Sequence, residues 1–176
     1  DNITIHGLSI SGGNVNIYLQ NSSNCIIDSN SMNFLCRGVH VFQGNSNRIS
    51  SNYIAKMRPG NESLVCAGIS IEDSSNISIK CNDIDNLDTR YDPMLYIRNS
   101  TVAELKLIIP AIHGIIIQYD SAQCIPDELN GDECCCNVSE TGELNCAKCA
   151  YETDHGSTHE NCSLPINRLG ICNESD

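Results

Sequence analysis

The sequence has no tryptophan and only two phenylalanines among 176 residues. An interior built on large aromatics is therefore excluded, and any core must be aliphatic. Basic residues are also scarce, 10 against 22 acidic ones, for a net charge of −12. Such a surface repels phosphate backbones and anionic headgroups, so nucleic acid is not an expected partner. No apolar run approaches the roughly 20 residues that cross a bilayer, and direct membrane insertion is not expected. Neither an initiator methionine nor a signal peptide opens the chain; a strand pattern begins at once with Ile3. That reads as a processed or excised piece of something longer.

What the chain has in excess is cysteine and glycosylation sequons. Twelve cysteines in 176 residues is a high and even number, which a reducing cytosol rarely hosts unless the thiols hold metal. Asn-x-Ser/Thr occurs eight times, at Asn2, Asn21, Asn61, Asn76, Asn99, Asn137, Asn161 and Asn173. Chance at this composition gives roughly three. Asn173 lies too near the end of the sequence to weigh. Together the two signals point to an extracellular glycoprotein of a eukaryote or a eukaryotic virus, secreted or at the cell surface and carrying covalent N-glycans. The alternative is Asn and Ser serving as turn residues with no sugar attached.

A repeat organises residues 2–122. Ile5, Ile27, Ile49, Ile79 and Leu107 recur at intervals of 22, 22, 30 and 28. After the middle three anchors comes an Asn, at positions 30, 52 and 82, and then Met32, Ile54 and Ile84. Leu8 and Pro110 occupy the corresponding places in the first and last units. Each unit carries a second alternating strand: Ile17–Leu19, Val39–Val41, Ile69–Ile71, Leu95–Ile97 and Ile115–Ile117. Three of these follow a glycine (Gly38, Gly68, Gly114). From second strand to next anchor the spacing is eight residues three times and then ten, whereas the other connection absorbs insertions. One fixed turn and one variable loop per unit is solenoid behaviour. Alternation with β-branched residues makes the units strands. About five coils of an all-β parallel β-helix are expected, stacked about 4.8 Å apart. Asn30, Asn52 and Asn82 would form an internal ladder that satisfies turn backbone groups. A leucine-rich repeat is the rival, but its Leu-x-x-Leu-x-Leu runs are missing.

Three stretches, from Asn24 to Met32, Asn47 to Ile54 and Asn76 to Ile84, each closed by its second strand, resemble the right-handed parallel β-helix repeat family, the pectate-lyase-like superfamily. The resemblance covers about two thirds of the chain. It implies a right-handed coil and says little about activity, because that fold hosts lyases, hydrolases, epimerases, adhesins and inert shafts.

Residues 123–176 lose the repeat and hold eight of the cysteines: Cys124, Cys134, Cys135, Cys136, Cys146, Cys149, Cys162 and Cys172. A segment with so little apolar periodicity is expected to be a small disulfide-rich module. Cys146 and Cys149 followed by His155 and His159 half-match a zinc site, but only five residues separate Cys149 from His155, against about 12 in a zinc finger. No metal and no cofactor is expected. Within the repeat, Cys36 and Cys66 each lie two residues before Gly38 and Gly68. Coil stacking should place them about 5 Å apart and bond them. Cys25 and Cys81 do not share a column, so they are read as disulfide-bonded with partners left open.

A lyase would need carboxylates converging on Ca²⁺ beside an Arg or Lys base. Asp83, Asp85, Asp88 and Asp92 with Arg90 are the candidates, but Ser31, Asn33, Tyr53 and Ala55 stand where neighbouring coils should add acids. A polygalacturonase-like hydrolase would show Asp pairs with Gly-His-Gly and Arg-x-Lys, and neither motif occurs. His6 and His40 face outward without an acidic partner in their own columns. The chain is therefore expected to be no enzyme, with no catalytic residue assigned. It reads as a structural glycoprotein: a rigid β-helical unit of a surface fibre, filament or appendage. It would associate end to end with its own kind or with other surface glycoproteins. The alternatives are a module that binds or cleaves carbohydrate through the loop at 85–93, and an adhesin or receptor ectodomain. Sugars are expected along one edge, because Asn2 pairs in register with Asn76, and Asn21 with Asn99, all in the fixed turn.

Overall fold

The computed structural model describes residues 1–56, 66–85, 93–108 and 166–172, with the backbone of three further strands at 115–118, 133–138 and 144–148. What the sequence presents as one anchor stretch is two short strands with a corner between them. The first coil is β1 (Thr4–His6), β2 (Ser9–Ser11) and β3 (Val15–Gln20). The second is β4 (Ile26–Asp28), β5 (Ser31–Phe34) and β6 (Arg37–Phe42). The third is β7 (Arg48–Ser50), β8 (Tyr53–Lys56) and β9 (Ala67–Glu72). Then follow β10 (Ile77–Asp85), β11 (Leu95–Arg98), β12 (Val102–Leu107) and β13 (Ile115–Gln118). Three parallel sheets result. The first runs β1-β4-β7-β10-β12, the second β2-β5-β8-β10 and the third β3-β6-β9-β11-β13. The chain is an all-β parallel β-solenoid.

Inside, the residues of one column are alike. Ile5, Ile27, Ile49 and Ile79 are paired neighbours, and so are Leu19, Val41, Ile71 and Ile97. Nearly all are buried in one continuous aliphatic core with Met32, Ile54 and Phe34. Each such side chain contributes about 1.5–3 kcal/mol by leaving water. Gly38 and Gly68 belong to β6 and β9 rather than preceding them. A Cβ at Gly38 would collide with Ile54, and one at Gly68 with Ile84. These glycines let the third sheet close against the second.

The corners carry the rest of the pattern. Among the described residues, eleven that are not glycine adopt left-handed backbone angles, φ between 45° and 59°. They fall in columns: Asn21, Gln43, Asp73 and Asn99; then Asn2, Asn24, Ser46 and Asn76; then Ser29, Ser51 and Cys81. Asn, Asp and Ser tolerate this region best after glycine, which accounts for the composition of the turns. Beside the third column stands the expected ladder. Asn52 Nδ2 donates to Ile27 O at 3.0 Å and to Asn82 Oδ1 at 2.9 Å, and Asn52 Oδ1 accepts from the backbone N and Nδ2 of Asn30. The ladder begins at Leu8, whose N–H donates to Asn30 Oδ1.

Several expectations need correction. About three coils, not five, carry three separate strands; β10 merges two of them, and β12 has no companion in the second sheet among the described residues. The last anchor is Leu105, which pairs with Ile79, while Leu107 stands opposite Asn82. Leu105 and Leu107 lie on the same strand face, so alternation alone cannot separate them. With Leu105 as anchor, the turn from Ile97 is eight residues, like the others. The ladder therefore ends opposite Leu107 rather than at Pro110, which lies outside the described residues.

Three strands after residue 122 add to the same sheets. β14 (Glu133–Val138) and β15 (Leu144–Lys148) extend the third sheet, with antiparallel pairing. β16 (Leu169–Ile171) lies parallel against β12 in the first. Cys36 and Cys66 are bonded, Cα to Cα 4.5 Å, close to the expected spacing. Cys81, at the bulge of β10, is bonded to Cys172 just past β16. Cys25 is a correction: it is a free thiol, 1% exposed, inside the core. Its column neighbour is Asn47, whose Oδ1 accepts from the Cys25 N–H, so no sulfur stands opposite. Cys124, Cys149 and Cys162 lie outside the described residues, as do the side chains of Cys134, Cys135, Cys136 and Cys146.

Two measurements test this architecture. Asn52→Ala leaves Asn30 N and Ile27 O without their side-chain partner and takes one of two partners from Asn30 Nδ2 and Asn82 Oδ1, so it should cost about 3 kcal/mol in chemical denaturation. Gln20→Ala, on the solvent side of β3, should cost close to nothing; equal losses would remove the ladder from its central place. In peptide mapping without reductant, Cys36–Cys66 and Cys81–Cys172 should appear as linked pairs. Cys25 should take an alkylating label only after unfolding.

Candidate functional site

The outer face of the third sheet concentrates polar chemistry. Arg37, His40 and Phe42 are the less buried residues of β6, Ser70 and Glu72 lie beside them on β9, and Arg98 stands at the end of β11. Glu72 is the hub. Arg37 NH1 and His40 Nε2 each lie 3.0 Å from its Oε1, Arg98 NH1 lies 3.7 Å from Oε2, and Ser70 Oγ donates to Oε1 at 3.2 Å. The hydrogen bond from His40 holds the Glu72 carboxyl below its ordinary value; burial opposes this, and the Arg37 charge reinforces it. Tyr18, half exposed, stacks on His40 with ring centroids 4.9 Å apart, and Phe42 lies beyond.

A second polar row crosses the first sheet. Asp28 accepts from Ser50 Oγ at 2.6 Å and from Ser29 Oγ at 3.0 Å, and lies 3.1 Å from His6 Nδ1. The Ser50 hydrogen bond is the main reason that the Asp28 carboxyl is lowered. Both histidines thus have acidic neighbours, which corrects the sequence expectation. For His40 the partner is diagonal: Glu72 pairs with Phe42, two residues along, and a long side chain spans that offset. His6 pairs directly with Asp28. There the partner stood in register and the column reading missed it.

Chemically, Glu72 is an ionised carboxylate whose oxygens are already engaged by donors. Such a group is a poor proton acceptor, but it fixes two guanidinium groups and an imidazole beside an aromatic patch. That arrangement suits hydrogen bonding to a polyhydroxylated or anionic ligand more than proton transfer.

The other expected site residues are dispersed. Asp83 and Asp85 are exposed at the end of β10, in register with Tyr53 and Ala55, which in turn pair with Ser31 and Asn33. No stack of acids forms there. Asp88, Arg90 and Asp92 lie outside the described residues, as do His155 and His159. No group of three or more His, Cys, Asp or Glu that could hold a metal occurs among the described residues.

The sequon columns stand where register placed them. Asn2, Asn21 and Asn76 are exposed and Asn99 is half-buried. Asn76 Nδ2 donates to Ser46 Oγ, and Asn99 Nδ2 to Asp73 Oδ1. Asn61 and Asn161 lie outside the described residues, as does the side chain of Asn137. A buried serine ladder lines the same turn and was missed. Ser74 Oγ accepts from Gly44 N at 2.9 Å, and Ser100 Oγ accepts from Ser74 N at 2.9 Å. The signal was available: Ser22, Gly44, Ser74 and Ser100 each stand three residues after the same strand position.

No protein-family model matches this chain, and no curated protein or solved structure matches it either.

The lowered Glu72 carboxyl makes stability depend on pH in a definite direction. A carboxyl depressed on folding contributes stability that is fully present above the ordinary value of 4.5 and is lost as pH falls through the folded value. Glu72→Gln should therefore lower the unfolding midpoint at neutral pH and make its decline below pH 4.5 shallower. Thermal melts of both chains across that range check this. Parallel declines would place the pH dependence elsewhere, with Asp28 and Glu104 the next groups to test.

Proposed function

We propose that this chain is a non-catalytic structural unit of an extracellular glycoprotein, a stiff β-solenoid segment of a surface fibre, filament or appendage. The observation that carries the reading is the unbroken run of side-chain hydrogen bonds from Leu8 through Asn30 and Asn52 to Asn82. It ties each coil to the next inside the molecule, where solvent does not compete, and so favours a rod over a deformable binding cup. Two disulfides that staple separate coils support an oxidising compartment. Four sequons gathered at one turn support N-glycans along one edge, leaving the other faces and the ends for partners. Parallel coils pair through backbone edges, so the favoured partner is another coil, from a second copy or from another surface glycoprotein. The right-handed, pectate-lyase-like resemblance belongs to this reading, supported by the parallel register and the Asn ladder.

One observation favours a second reading. The Tyr18–His40 stack beside Arg37 and Glu72 has the aromatic and charged character of a carbohydrate-contacting surface. A carbohydrate-binding module or an adhesin would use it; the loop at 85–93, the face first expected for this, lies almost wholly outside the described residues.

Electron microscopy of the secreted full chain should show rods or end-to-end assemblies, and no Ca²⁺-dependent absorbance rise should occur on polygalacturonate. Lyase activity on that polymer would replace the structural reading. Dispersed monomers that bind immobilised glycans, with binding lost in Tyr18→Ala, would replace it with the carbohydrate-binding one.

A further inference from the structure

A cleft of about 460 Å³ lies between the sequon turn and the outer face of the first sheet. Ser46 and Asn76 line it from the turn, and Arg48, Ser78, Glu104 and Arg168 from the sheet. The volume falls in the roughly 300–1,000 Å³ range of small-molecule sites, and most of the lining side chains are polar. Two features of the wall are unexplained by the fold alone. Ser78 Oγ is buried yet has no hydrogen-bond partner, a condition that normally costs stability unless something fills the space. And Asn76, an exposed sequon asparagine at φ 56°, is itself part of the wall.

We propose that this cleft holds the first sugars of an N-linked glycan on Asn76, so that the glycan packs against the first sheet as part of the structure. The inference rests on the glycoprotein reading above. In the modification, Asn76 Nδ2 gives up one proton and bonds to the anomeric carbon of a lipid-pyrophosphate-linked oligosaccharide. The lipid pyrophosphate leaves with its bonding electron pair. The hydrogen remaining on Nδ2 can keep the bond to Ser46 Oγ. The sugar's acetamido and hydroxyl groups then supply a partner for Ser78 Oγ and can reach Arg48, Arg168 and Glu104, the last already paired with Lys80. This distinguishes Asn76 from its column mate Asn2 and from Asn21, neither of which lines the cleft.

The test uses the full chain secreted from a glycosylating eukaryotic host. The native protein is digested over time with an amidase that cleaves the glycan–asparagine bond, and each site is followed by mass spectrometry. Glycan on Asn76 should be released about tenfold or more slowly than glycan on Asn21, equivalent to about 1.4 kcal/mol of protection. The two rates should converge after unfolding. Ala103→Trp fills the cleft and leaves the sequon intact, so it should bring the native Asn76 rate up to that of Asn21. Arg168→Ala, which opens one wall, should do so in part and serves if the tryptophan variant is not secreted. Equal native rates at Asn76 and Asn21 in the unaltered chain would overturn the docked glycan and leave the glycoprotein reading standing. A bare Asn76 beside sugars on Asn2 and Asn21 would also overturn it. Bare asparagines at every sequon would overturn both.

Discussion

The structure depends on how a chain turns a corner inside its own stack. Each coil must bend between the first and second sheets, and the bend leaves backbone groups facing inward that no neighbouring strand can pair. Asn30, Asn52 and Asn82 solve this with one carboxamide each, which accepts from a backbone N–H of the preceding coil and donates to a carbonyl of that same coil. The residue before each takes a left-handed conformation to present it. Once that corner is fixed, the aliphatic columns fall into register whatever the length of the coil, 22 residues from Ile5 to Ile27 and 30 from Ile49 to Ile79. Insertions are tolerated elsewhere because they leave this corner untouched.

Much of this was legible because the interior repeats itself. Ile5, Ile27, Ile49 and Ile79, the Asn column, and the Cys36–Cys66 pairing follow from spacing alone, since identical chemistry must recur at each level of a stack. Legibility failed where the chain departs from its own repeat. Leu105 and Leu107 are chemically equivalent on one strand face, so only the observed pairing with Ile79 distinguishes them. Cys81 finds Cys172 across 91 residues, a distance no local pattern encodes. An even cysteine count suggested that all would pair, yet Cys25 behaves as a small apolar side chain in the core.

The outer faces obey different rules from the interior. There, neighbours can be diagonal as well as direct, because long side chains reach across two positions. Glu72 and His40 were invisible to a column-by-column reading for that reason, although both residues were in plain sight. The same freedom lets one fold carry unrelated surfaces: a charged and aromatic patch on the third sheet, an Asp28-centred row on the first, and a polar turn bearing sequons. Function in such a molecule resides in the outward columns, while the inward ones are committed to stacking.

The position of β16 has a consequence for biosynthesis. Residues 108–168 separate it from β12, the strand it covers, and Cys172 follows it directly. At the roughly 5–20 residues per second of chain synthesis, the edge of β12 waits for seconds with its backbone unpaired. Through that interval Cys81 stands oxidisable while seven other cysteines emerge ahead of its proper partner. The earlier coils can assemble in order as they leave the ribosome, each on the one before. The last rung cannot, because both the strand that covers β12 and the sulfur that meets Cys81 are among the last parts of the sequence to be made.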